Sequence, residues 1–214
     1  MLVHIRRSIV LALIVLVLTF AYTYLSTGID QVLFKHQADG SITPNGSTLI
    51  GQSWSQTKCP GHPLGSCVFQ GRPDALGPYA GSLKPVAAGG DNPLAANNIP
   101  GHPGVLNPGE SGPTNLGPRS SVLKANTEQL VAYWHARGVN PTPDLVTTSG
   151  SGYDPDISAA DATAEIPMVS SATGLSPSTL RALISHETQG PQLGFLGTSN
   201  INVLQLNEAL VKLR

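Results

Sequence analysis

The sequence predicts an α/β (α+β) chain: one N-terminal transmembrane helix, then a single exported domain with a small sheet and helices concentrated in the C-terminal half. Three observations predict it. An uncharged apolar run fills residues 9–25, Gly and Pro concentrate between residues 60 and 118, and strong helix-start signals recur in the C-terminal half. Composition narrows the classes further. Lys and Arg number 12 against 13 Asp and Glu, so no basic surplus exists from which to build a nucleic-acid-binding face. The 23 glycines and 18 prolines exclude a long coiled coil, and they lack the three-residue period of collagen. Two cysteines are too few for a disulfide-dense scaffold.

The apolar run from Ile9 to Leu25 is interrupted only by Thr19 and Thr23. Its 17 residues would span about 26 Å as a helix, slightly less than a hydrocarbon core, and Ser8 and Ser26 can lengthen it. Ile9, Leu13, Leu16, Phe20 and Tyr24 mark the anchor, with Tyr22 and Tyr24 suited to the headgroup region at its exit. His4, Arg6 and Arg7 precede the run, and the nearest charges after it are Asp30 and Lys35. The positive-inside rule therefore predicts a cytosolic N-terminus at 1–8, an anchor at 9–27 and an extracytoplasmic domain at 28–214 in the plasma membrane. A cleaved signal peptide is the rival reading, with Ser26 and Gly28 as small residues at the cut. The run exceeds the usual h-region of about 7–15 residues, and Tyr22, Tyr24 and Leu25 crowd that site. Both readings export the body.

Short strands are predicted at Ser47–Ile50 and Ser66–Gln70. Between them and beyond, Gly and Pro account for 23 of the 59 residues from Pro60 to Pro118, a density that no helix or central strand tolerates. The segment is read as loop, and its two Pro-Gly-His-Pro tetrapeptides, at 60–63 and 100–103, as a product of that bias. In an exported chain Cys59 and Cys67 are expected to form a disulfide. The alternative is a metal site of Cys59, His62, Cys67 and His102, whose ligand types suit zinc but whose spacing matches no common zinc pattern.

Regular structure is expected to resume with a helix over Val122–Arg137, with apolar residues at Val122, Leu130, Val131 and Trp134 and a stop at Gly138. The β-branched run Leu145–Thr148, bounded by Pro143 and the Gly150/Gly152 pair, predicts a strand. Ser158 with Asp161 is a capping-box signature opening a helix to about Ala172, kinked at Pro167 and ended by Gly174. Ser176 before Pro177 opens another helix to about His186, with Leu180, Leu183 and Ile184 facing the core. A strand is expected within Gly197–Ile201. Asn202 and Gln205 then start a last helix with Val203, Leu204, Leu206, Leu210, Val211 and Leu213 on its apolar face.

Acid/base candidates are His186, Glu187, Asp154, Asp156 and Asp161. Asp154 before Pro155 suits turn chemistry, Asp161 a cap, and His186 with Glu187 a helix end. Ser149 and Ser151 in TSGSGY lack the Gly-x-Ser-x-Gly spacing of a nucleophile elbow. Asp154 and Asp156 alone are too few oxygens for calcium. A membrane-anchored exported enzyme and a cell-surface binding module thus remain as alternatives to a subunit of a larger assembly.

The motifs are similar to those of one family. Leu145–Ile157, LVTTSGSGYDPDI, and Gly194–Leu210, GFLGTSNINVLQLNEAL, resemble the KdpC family, the C subunit of the potassium-transporting Kdp P-type ATPase. Leu49-Ile50-Gly51-Gln52, Phe69-Gln70-Gly71-Arg72-Pro73 and SGPTNLGP at 111–118 extend the resemblance across nearly the whole chain. The positions it picks out are Arg72, Pro73, Asn115, Gly117, Ser149, Ser151, Gly152, Asp154, Ile157, Asn202 and Asn207. Pro113 and Thr114, the two cysteines and a seeming insertion at about 91–110 depart from the family pattern. Glu165 and Met168 stand where the family tends to carry Gln and Arg.

The resemblance implies a non-catalytic accessory subunit of a high-affinity potassium pump. Its partners would be a membrane-embedded potassium-conducting subunit, a P-type ATPase catalytic subunit and the lipid bilayer. ATP and potassium would be handled by the complex, with no cofactor bound directly by this chain. The family's C subunit is described as a chaperone that raises ATP affinity in the catalytic subunit through a ternary complex with ATP. No nucleotide-binding residue is assigned here. Only residues 1–8 are expected on the cytosolic side, and no GxxxxGK[ST] loop occurs. The topology favours a domain over the external mouth of the ion path, with any effect on ATP transmitted over distance.

Overall fold

The computed structural model describes residues 2–51, 54, 57–73, 116–151 and 154–214, apart from the side chains of Leu2 and Val122. The chain divides into two compact units, Met1–Pro44 and Asn45–Arg214. The first is dominated by helix α1 (Leu2–Leu33), followed by the short α2 (Lys35–Ala38) and the two-residue strand β1 (Ile42–Thr43). At 1.5 Å per residue α1 is about 48 Å long, so it outruns the anchor expected at 9–27 at both ends. Val3–Leu33 is long and apolar enough to cross a membrane, and its apolar window is wholly unburied within the chain. The hydroxyls of Thr19 and Ser26 donate to the carbonyls of Val15 and Thr23, at 2.8 and 3.0 Å. That of Thr23 donates to Phe20 and Thr19. Polar side chains on an apolar helix are thus satisfied by the helix itself.

In the second unit, β2 (Gly46–Ser47) is followed by α3 (Ser121–His135), a 3₁₀ turn at Asp144–Val146, β3 (Asp156–Ile157) and α4 (Ala159–Thr173). Then come α5 (Pro177–Glu187), β4 (Ile201–Asn202) and α6 (Val203–Lys212). Strands β3 and β4 pair antiparallel, Asp156 opposite Asn202 and Ile157 opposite Ile201. The fold is therefore mixed helix and very small sheet, with the helices in the C-terminal half.

The helix starts follow the sequence signals. Ser158 Oγ accepts from the Asp161 amide at 3.1 Å while the Asp161 carboxylate accepts from the Ser158 amide at 2.9 Å, the reciprocal capping box. Gly174, at φ +75°, ends α4 in the left-handed conformation that a side chain would strain. Pro167 lies inside α4, which runs on through it. Ser176 caps α5 with Pro177 in the first turn, and Asn202 caps α6 through the Gln205 amide. Leu180, Leu183 and Ile184 are buried as expected, and with Phe69, Leu130, Trp134, Leu145, Ile201, Leu206 and Leu210 they form the core.

Four strand expectations shift. Leu145–Thr148 is a 3₁₀ turn followed by extended chain, because local bonds replace the ladder. The Pro143 carbonyl accepts from the Val146 amide and the Thr147 hydroxyl, and the Leu145 carbonyl accepts from the Trp134 indole at 2.9 Å. Ser66–Gln70 forms no strand; side chains of the helices take its backbone groups instead. The strand expected at Ser47–Ile50 is confined to Gly46–Ser47, and that within Gly197–Ile201 to Ile201–Asn202. Val211 and Leu213, expected on the apolar face of α6, are exposed, since they lie past Leu210, the last core residue of that helix. The stretch at about 91–110 read as an insertion lies outside the described residues, as do Asn115 and Gly152.

Candidate functional site

Three segments far apart in sequence are bound together by side chains. Asn207, on the buried face of α6, accepts from the Phe69 amide at 2.8 Å and donates to the Phe69 carbonyl at 2.9 Å. The next amide, of Gln70, donates to Glu165 Oε2 at 2.8 Å. This pair of side chains substitutes for the missing strand and holds the wholly buried Phe69 ring in the core. Just upstream, Cys59 and Cys67 are joined in a disulfide with Cα atoms 5.5 Å apart, both half-cystines buried. His62 sits in the loop between them and is exposed; His102 lies outside the described residues. Among the described residues no group of three or more His, Cys, Asp or Glu could hold a metal ion.

The next link is Arg72. Its guanidinium donates to Asp154 Oδ2 and to the Thr148 carbonyl, both at 3.3 Å, tying the 69–73 motif to the 145–157 motif. Asp154 Oδ1 accepts from the Asp156 amide at 3.1 Å, the turn chemistry expected of Asp before Pro. Asp156 in turn accepts from the side-chain amides of Asn202, at 3.1 Å, and Asn200. Asn202 also donates to the Thr48 carbonyl at 2.8 Å. Half-burial raises the Asp156 pKa, opposed by its bond from Asn202 and reinforced by the Asp154 charge. Ile157 and Pro73 are buried, as is Ser149, whose hydroxyl lies 3.4 Å from that of Ser151. Gly117 is exposed.

The arrangement is a frame, because its carboxylates and amides, Glu165 Oε1 apart, are spent on one another and on backbone. The hollow between Trp54, Gly71, Asp154 and Leu204 holds about 10 Å³, room for about one water. Of the acid/base candidates, Asp161 caps α4 and accepts from the Thr142 hydroxyl. His186 pairs with its neighbour Glu187 at 2.9 Å at the end of α5. Among the described residues of this frame, no nucleophile, base and substrate-sized cavity come together.

Glu165 is the residue that sequence reasoning undervalued. It is wholly buried, its Oε1 has no hydrogen-bond partner among the described residues, and burial pushes its pKa well above the ordinary carboxylate range. Gln70 N–H opposes that shift and the Asp161 charge adds to it. The Tyr133 hydroxyl is pushed up to about 12, by burial first, against the Arg137 guanidinium 3.6 Å from its ring centre. Met168 is buried as well, so the two helix positions expected to differ from the family pattern are both buried. The available signal was a glutamate inside the apolar stretch Ala164-Glu165-Ile166, one turn from Asp161.

In the first unit, Ile9, Leu13, Leu16, Phe20 and Tyr24 all lie on the exposed surface of α1, with the Phe20 and Tyr24 rings stacked at 6.3 Å. A second exposed apolar group lies in and beside the Gly194–Leu210 motif, where no sign of a surface was legible in the sequence. Leu193, Phe195 and Leu196 project from the hairpin between α5 and β4.

Residues 5–212 match the family described as KdpC, the K+-transporting ATPase c chain. The chain is 39% identical to the potassium-transporting ATPase KdpC subunit of Sorangium cellulosum, with 98% of each chain covered. It is 37% identical to that of Methylobacterium nodulans, over 100% of this chain and 98% of the relative. Against that of Rhodopseudomonas palustris the identity is 36%, over 98% and 97%.

Proposed function

The chain belongs to the KdpC family, as a subunit of a potassium-transporting ATPase complex, and from that premise we propose that it is a non-catalytic accessory subunit. It is anchored by α1, and its second unit works on the outer face of the plasma membrane. The observation that carries this reading is a mismatch of scale. A chain matched from residue 5 to 212 offers one helix long enough to cross a membrane among its described residues. One helix cannot enclose an ion path, and the polar frame of the second unit offers no hydrolytic centre. Transport and ATP hydrolysis then fall to companion chains, a potassium-conducting subunit and a P-type ATPase subunit.

Two features support the outward orientation. Arg6 and Arg7 precede the apolar run, and the second unit carries a buried disulfide of the kind that persists in oxidising compartments. ATP is cytosolic, so any increase in ATP affinity caused by this subunit is a coupling between distant sites, and ATP binding must strengthen its assembly by the same factor.

The test is affinity purification of the full chain in mild detergent from potassium-starved cells. A large P-type ATPase chain and a polytopic ion-conducting chain are expected in stoichiometric amounts. Recovery of the chain alone would overturn the reading.

A further inference from the structure

We propose that the hairpin between α5 and β4 is a preformed docking element that inserts into an uncharged apolar pocket on a companion subunit's polypeptide. The inference rests on the assembly reading above. The hairpin is built from two antiparallel rungs. Gln189 and Asn200 exchange backbone hydrogen bonds at 2.8 and 3.1 Å, and Gln192 and Leu196 exchange two at 2.9 Å. The Phe195 amide closes the tip onto the Gln192 carbonyl at 3.2 Å. Both central tip residues have positive φ, Leu193 at +54° and Gly194 at +82°, the pattern of a type I′ turn. That turn favours Asn, Asp or Gly at both positions. Here its first central position holds a leucine that is 82% exposed, beside Phe195 at 75% and Leu196 at 49%.

A leucine held at positive φ and left mostly exposed contributes little to folding; strain kept at an exposed site points to a use outside the domain. Charge selects the occupant. The twenty residues from Thr188 to Asn207 carry no ionisable side chain, and they are flanked by the acids Glu187 and Glu208. An anionic bilayer surface is met by Lys and Arg, and none occurs between Arg181 and Lys212. A neutral protein pocket asks for none. The fixed tip also lowers the entropic cost of binding, and a leucine and a phenylalanine on one tip make an apolar anchor of the kind that dominates small interfaces.

The experiment compares full-length wild type with Leu193→Asn and with Leu193→Asn/Phe195→Ser in mild-detergent affinity purification. The readouts are recovery of companion chains through a high-salt wash and thermal melting of the isolated chain. Leu193→Asn suits the left-handed tip, so its melting temperature is expected to equal or exceed that of wild type. Companion recovery is expected to fall about tenfold or more in the double variant, while wild-type recovery withstands salt. Undiminished recovery in the double variant overturns the proposal while leaving the assembly reading intact. Recovery that depends on the hairpin only after reconstitution into lipid vesicles assigns it to the bilayer, and also overturns it. Absence of companions from the wild type itself sinks the assembly reading, and this inference with it.

Discussion

The two units of this chain use the same side chains to opposite ends. Along α1 the leucines, valines and isoleucines point outward on every side, and the hydroxyls of Thr19, Thr23 and Ser26 bond to carbonyls three or four residues back. In the second unit the apolar side chains turn inward around Phe69, Trp134 and Leu206, and the polar ones reach across the sequence. Asn207 bonds a residue 138 positions away, Asn202 one 154 away, and Glu165 one 95 away. The difference is one of solvent. A helix meant for hydrocarbon must satisfy its polar groups locally, whereas a domain meant for water can fold distant strands of chain onto buried amides. Substitutions should therefore act on one unit without disturbing the other, and the largest effects break the comparison most sharply.

Phe69→Ala is expected to be the most damaging, at about 3–5 kcal/mol. It empties the position that Asn207 and Glu165 hold in place. Melting of the second unit should fall steeply while membrane integration of the chain stays unchanged; integration lost in parallel would mean that the units do not act independently. The mirror experiment is Leu16→Arg at the middle of α1, costing about 2.5–3.5 kcal/mol on insertion scales. It should release the chain from the membrane and leave the melting of the second unit as it was, as judged by carbonate extraction and circular dichroism.

The smallest effect concerns pH. Glu165 has a folded pKa well above its unfolded value of about 4.5, so between the two the folded state holds a proton that the unfolded state has lost. Stability from this group is complete below the unfolded value and declines as pH rises towards the folded one, by at most about 1.4 kcal/mol per pH unit. Glu165→Gln keeps an acceptor for the Gln70 amide and cannot ionise. It should flatten that decline and gain on wild type as pH rises, leaving the share that Asp156 contributes in the same direction. Parallel melting curves from pH 5 to 8 would show that Glu165 is not the group responsible.

The same local-versus-distant contrast explains what could be read from sequence. The α1 run, the Ser158/Asp161 box, the Gly174 stop and the Ser176-Pro177 start are each written in a few neighbouring residues, and the structure has all of them. The strands expected at 66–70 and 145–148 went elsewhere for reasons no short window contains. The first gave its backbone to Asn207 and Glu165, and the second folded against the Trp134 indole and Pro143. Arg72 and Asn207 were picked out by resemblance alone, whereas Asp154 and Asn202 also carried a turn and a cap signal of their own. Their joint role as a frame appears only when the segments meet. The Gly194–Leu210 motif covers most of the hairpin, but its tip was not legible as a turn, because a leucine at a left-handed turn position contradicts the usual turn chemistry.

The central claim, that a helix in the bilayer carries a body on the outer face, is tested most directly by thiol labelling in intact spheroplasts. His4→Cys and Arg181→Cys each add one thiol to a chain whose own cysteines are bridged, at the start of α1 and on the exposed side of α5. A membrane-impermeant maleimide is expected to label Arg181→Cys in intact spheroplasts and His4→Cys only after lysis. Labelling of His4→Cys in intact spheroplasts, with Arg181→Cys protected until lysis, would contradict the claim.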